Sequence, residues 1–143
     1  MIILISYFQL LIISFLAATI LPLSSELVLS TMLLTDSFDK YLLLVVASFG
    51  NIFGSSVNWY LGKKILILKD KKWFPVNKKQ IAKSEMYFKK YGIWSLLLAW
   101  VPIIGDPLTV IAGVLRVNFF TFLLLVSISK TSRYIFLIFI IFK

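Results

Sequence analysis

Residues 21–26, Leu-Pro-Leu-Ser-Ser-Glu, return in outline eighty positions later as Val-Pro-Ile-Ile-Gly-Asp at 101–106. Each copy places an acid four residues after a proline inside an otherwise apolar run, and each is followed by a second hydrophobic stretch. Proline removes a helix hydrogen bond and clashes with the preceding turn, so neither run reads as a straight lipid-facing helix; the breaks are expected at Pro22 and Pro102. Interrupted hydrophobic segments at matching places in two halves are the pattern of inverted repeats that meet at a site near the bilayer midplane.

The segments around this pair set the fold class. A helix crossing the ~30 Å hydrocarbon core needs about 20 apolar residues, and roughly 17 at the least. Residues 2–18 meet the lower limit; they lack a positive leading region and continue into more apolar sequence, so they read as a retained anchor. Residues 41–62 and 117–142 are long enough to cross, whereas 19–34 and 92–115 are interrupted by Pro22, Ser24, Ser25 and Glu26, and by Pro102, Gly105, Asp106 and Pro107. The expectation is an all-α integral membrane protein: short transmembrane helices, two inverted, proline-broken re-entrant hairpins and a cytoplasmic amphipathic segment. One domain covers 1–143, divided into the anchor (1–18), a first half (19–62), a basic segment (63–91) and a second half (92–142).

Composition agrees with this reading. Of the 143 residues 60% are hydrophobic and the mean hydropathy is +0.97, whereas soluble domains are usually about 45–50% apolar. The formal charge is +9, yet ten of the fifteen Lys and Arg fall between Lys63 and Lys90 and none precedes Phe38. A basic cluster beside apolar segments marks a cytoplasmic loop, with lysines placed to meet anionic headgroups; nucleic acid is not expected as a partner. A helix is expected from about Asn77, with Gln80 three residues on, lying along the inner membrane surface. If that loop is cytoplasmic, the first broken segment opens outward and the second inward, as inverted repeats require. Thirteen Lys against two Arg, with abundant Ile and Phe, suggest an AT-rich bacterial genome and hence a bacterial inner (plasma) membrane.

The chain has no Cys and no His. That removes thiol nucleophiles, disulfides, Cys/His metal sites and an imidazole base, so neither an enzyme nor a metal or other cofactor is expected. Chemistry must reside in intramembrane charge. Glu26, Asp106, Lys130 and Arg133 fall within hydrophobic stretches, where each isolated charge costs roughly 2.5–3.5 kcal/mol and calls for a partner or a role. Two readings stand: structural ion pairs in a non-transporting scaffold, or acids that bind and release protons while a neighbouring cation holds an anionic substrate. Burial disfavours an ionised acid and a nearby cation favours it, so such a pair can be poised for exchange. Arg116, just after a hydrophobic run, is either an interface anchor or a phosphate ligand. Gly50 and Gly54, one turn apart, suit close helix packing, and Ser24, Ser25, Asn51 and Thr109 suit hydrogen bonds between helices or contacts to substrate.

At these residues the chain resembles the DedA family, also called the SNARE-associated or VTT-domain superfamily, and within it the YqaA-like branch. The likeness rests on 15–26 (FLAATILPLSSE), on Gly50-Asn-Ile-Phe-Gly54 leading to Asn58-Trp-Tyr-Leu-Gly62, and on Lys90-Tyr-Gly92. It continues through 100–107 (WVPIIGDP) and Ala112-Gly113-Val-Leu-Arg116. The resemblance implies two facing re-entrant hairpins and movement of phospholipids or polyprenyl-phosphate carriers between leaflets, as a transporter or as a flippase or scramblase, proton-driven in some members. Familiar members carry Arg-x-x-Pro-x-x-Arg in the second hairpin; the matching positions here are Ala99, Pro102 and Gly105. If those arginines hold a lipid phosphate, Arg116, Lys130 or Arg133 must replace them here, or the substrate differs.

Overall fold

The computed structural model describes residues 1–19, 24–64, 78–101 and 103–143, without the side chains of Lys78, Gln80 and Ile81. Pro22, Pro102 and Asn77, at which two hairpin breaks and a helix start are expected, lie outside these residues. The described elements are all helical: α1 (Ile2–Thr19), α2 (Ser25–Leu33), α3 (Lys40–Lys63), α4 (Lys78–Tyr91), a 3-10 helix (Gly92–Leu98), α5 (Gly105–Val114) and α6 (Phe119–Ile141). Among the described residues α1, α3 and α6 are long and apolar enough to cross a membrane. Much of their surface is exposed and apolar, as at Phe49, Phe53, Phe136 and Phe139, which suits lipid rather than water as the surrounding solvent.

Local chemistry explains where the helices begin. Asp39 accepts bonds from the amides of Tyr41 and Leu42, both at 2.9 Å, and caps α3; Asn118 does the same for Phe120, at 2.9 Å, and caps α6. Ser24 caps α2 through the Leu27 amide, at 3.3 Å. The two short helices start eighty residues apart, α2 at Ser25 and α5 at Gly105, so that Glu26 and Asp106 hold the same second position of their helices. Pro107 therefore does not interrupt a helix. It sits in the first turn of α5, where no internal amide bond is lost.

α3 is the central element. Its glycines replace side chains with backbone contact: a Cβ on Gly50 would stand 2.5 Å from the Leu11 carbonyl oxygen, and one on Gly54 equally close to that of Phe15. On its other side Gly62 lies against the α5 backbone at Val110, while Gly113 of α5 lies against the Trp59 carbonyl. α5 thus packs on α3 of the other half, and α2 reaches across to α6. Two apolar clusters result. One joins Leu10, Leu29, Met32, Leu33, Leu43 and Ala47; the other joins Phe88, Leu96, Leu108, Ile111, Phe122 and Val126. Between them runs a layer of polar and charged side chains.

Candidate functional site

The polar layer is built from the middle of the two long helices. Lys130 lies about 11 residues, or ~16 Å, into α6, the depth of a bilayer centre for a helix that spans it. Its Nζ donates to Asp106 Oδ1 at 2.8 Å, with the lysine side chain 4% exposed and the aspartate 40%. One turn further on, Arg133 pairs through Nε with Glu26 Oε1, and both side chains are partly exposed. Residues three apart share a helix face, so α6 presents two cations side by side, and each takes the acid of a different half. Glu26, Asp106, Lys130 and Arg133 are thereby brought together. In both pairs the acid is partly exposed, and Lys130, the partner of Asp106, is enclosed.

Arg133 also joins the two halves. Besides holding Glu26 it donates through Nη1 to the Trp100 carbonyl at 3.0 Å. Ser129 ties down the same stretch, accepting from the Trp100 amide at 3.0 Å and donating to the Leu97 carbonyl at 2.9 Å. The chain folds back sharply here: the Gly105 amide bonds to the Val101 carbonyl at 2.8 Å, and a Cβ on Gly105 would collide with the Ala99 carbonyl. Ile103 has φ of 75°, a region that a β-branched residue enters only under strain. Side chains of α6 meet the free backbone groups of this irregular stretch. A side chain of any kind at Gly105 would have to displace the Ala99 backbone.

A second tier of hydrogen bonds, only partly expected, anchors the layer to α1. Asn58 Nδ2 donates to the Ala18 carbonyl at 2.7 Å and to Thr109 Oγ1 at 3.1 Å, and Thr109 donates to the Asp106 carbonyl at 2.6 Å. α1 ends at Thr19, so the Ala18 carbonyl lies in its last turn without a partner inside the helix, and Asn58 supplies the donor. Two turns back, Asn51 Nδ2 reaches the Ser14 carbonyl at 3.3 Å and Tyr134 Oη at 3.1 Å, and Tyr134 shares a 2.8 Å bond with Ser25. Asn58 and Tyr134 join the site only through the tertiary structure. The seven-residue spacing of Asn51 and Asn58, which repeats a helix face, was the available signal for Asn58; nothing local distinguishes Tyr134.

Arg116 stands apart from these pairs. It is exposed beyond the end of α5 with φ of 54°, and the Val117 amide bonds to the Ala112 carbonyl at 2.9 Å while the Arg116 amide bonds to Gly113 at 3.0 Å. This is a left-handed helix stop of the kind usually given to glycine. Gly113 serves close packing on α3, not a break. Among the described residues no cluster of three or more acidic side chains could hold a metal ion.

The VTT domain family model matches residues 21–143. The chain belongs to the VTT-domain (DedA) family. Within that family it is 35% identical over 130 residues to "Inner membrane protein YqaA" of Escherichia coli K12, covering 91% of this chain and 87% of that protein. An uncharacterized protein of Haemophilus influenzae is 33% identical over 134 residues, covering 89% and 82%. "Undecaprenyl phosphate transporter A" of Staphylococcus aureus is 27% identical over 97 residues, 62% of this chain and 48% of that protein. No solved structure matches. The chain is thus a YqaA-like VTT-domain membrane protein.

Proposed function

We propose that this VTT-domain protein moves an anionic lipid, a phospholipid or a polyprenyl-phosphate carrier, between leaflets of a bacterial inner membrane, driven by or coupled to protons. The observation that carries the reading is the double ion pair on adjacent turns of α6, with its carboxylates partly exposed and its cations shared with both halves. Lys130 and Arg133 are the charges that would hold a lipid phosphate, and Glu26 and Asp106 occupy them in its absence. A proton taken up by Asp106 leaves the Lys130 ammonium without its counter-charge, free to accept a phosphate oxygen; loss of that proton restores the internal pair and releases the lipid. On this reading α2 and α5, with the segments before them, are two inverted re-entrant hairpins whose tips gate the site. The basic segment 63–91 lies on the cytoplasmic side against anionic headgroups, and the chain acts as one domain without a cofactor. The name of the staphylococcal relative supports a lipid-phosphate substrate.

The test is lipid movement in proteoliposomes that contain a labelled phospholipid or undecaprenyl phosphate, with and without an imposed proton gradient. Wild type should move label, and Asp106→Asn and Arg133→Gln should not while remaining folded. Equal movement by wild type, both variants and empty liposomes overturns the proposal. The enclosure of Lys130 favours a second reading, a scaffold whose ion pairs only fix packing. It predicts folded protein without movement under any gradient.

A further inference from the structure

A groove of about 460 Å³ opens on a different side of the protein, between the start of α3 and the end of α6. Its walls are apolar, formed by Leu44 from α3 and by Ile135, Ile138 and Phe139 from α6. At 100° per residue these α6 positions lie on the face opposite Lys130 and Arg133, so the groove is separate from the ion pairs. Its rim is cationic, with Lys40 on one lip and Lys143 on the other. The Lys40 ammonium sits 5.2 Å from the centre of the Tyr41 ring and 5.5 Å from that of Phe142. Among the described residues no carboxylate pairs with it, and the neighbouring Asp39 is committed to the α3 amides.

We propose that this groove holds an anionic glycerophospholipid of the leaflet opposite the basic segment, its phosphate against Lys40 and Lys143 and one acyl chain along α6. Depth, charge and length fit this one occupant. Tyrosine and lysine at a helix end mark the headgroup level. The cations lie only at that level, and everything below is apolar. From Ile135 to Phe142 the groove runs for about 10 Å, most of the ~15 Å of one leaflet's hydrocarbon, as an acyl chain does. The larger groove between α1 and α3, lined by residues such as Leu4, Phe8 and Val45, has no charge at its rim and offers a control.

The experiment is native mass spectrometry of the full chain released from bilayers of mixed phosphatidylglycerol and phosphatidylethanolamine, with bound lipid also extracted and counted. Wild type should retain phosphatidylglycerol in preference to phosphatidylethanolamine. Lys40→Gln should retain about five-fold less phosphatidylglycerol, Lys40→Arg should retain it, and Leu44→Trp should expel lipid of either kind. Val45→Trp should leave retention unchanged, which separates this groove from the one between α1 and α3. Thermal unfolding of each variant checks its fold, and two variants acting on charge and on shape guard against the loss of either one. The proposal is overturned if Lys40→Gln and Leu44→Trp retain wild-type phosphatidylglycerol, or if Val45→Trp lowers it equally. It is also overturned if the groove proves to seat a second copy of the chain, seen as a dimer that Leu44→Trp splits without changing bound lipid.

Discussion

Replacing Asp106 separates the energetic role of the ion pair from its shape. Lys130 is almost wholly enclosed and bonded to Asp106 at 2.8 Å, so removing the acid leaves a buried ammonium without a partner. Breaking a buried pair from one side costs about 3–5 kcal/mol. Asp106→Asn keeps a neutral acceptor within reach of Nζ, and a hydrogen bond to a charged group returns roughly 1.5–3 kcal/mol. The expected loss is therefore about 2 kcal/mol for Asp106→Asn, a shift of some 30-fold in the folding equilibrium, and about 3–5 kcal/mol for Asp106→Ala. The double change Asp106→Asn with Lys130→Met removes the unpaired charge and should return stability to wild type or above. Unfolding in detergent by heat and by denaturant measures all four proteins. If Asp106→Ala unfolds within about 0.5 kcal/mol of wild type, or if the double variant is no more stable than Asp106→Asn alone, the enclosure of Lys130 does not carry the energy assigned to it.

Three further outcomes follow from other contacts. Gly54→Val forces side-chain atoms into the Phe15 carbonyl and Ala18, and should destabilise by at least the ~1–3 kcal/mol typical of overpacking, read by detergent unfolding. Asn58→Leu leaves the Ala18 carbonyl and the Thr109 hydroxyl without their donor, a loss of roughly 1–3 kcal/mol read by detergent unfolding. Arg116→Gly relieves the left-handed backbone at the α5 terminus and should stabilise by about 1 kcal/mol with lipid movement unaltered; lost movement at unchanged stability would instead give the guanidinium a part in binding.

The hydrophobic pattern alone determined that this is an all-helical membrane protein, because a bilayer leaves an unsatisfied backbone only the helix or the closed barrel, and segment length then counts the crossings. The spans expected at 2–18, 41–62 and 117–142 differ from α1, α3 and α6 by a residue or two, as local caps such as Asp39 and Asn118 set the starts. The charges worth explaining were equally legible, since a carboxylate in an apolar run is conspicuous by its cost. What no spacing could reveal was the pairing. Whether Glu26 meets Lys130 or Arg133, and whether Arg116 joins them, depends on how α2 and α5 cross onto the other half, and that is set by glycine contacts between α3 and its neighbours. The use of Arg133 on both Glu26 and the Trp100 carbonyl, and of Asn58 on the Ala18 carbonyl at the end of α1, likewise belongs to the tertiary structure. A buried polar group must find its partner wherever the chain brings one within about 3 Å, and sequence distance does not measure that approach.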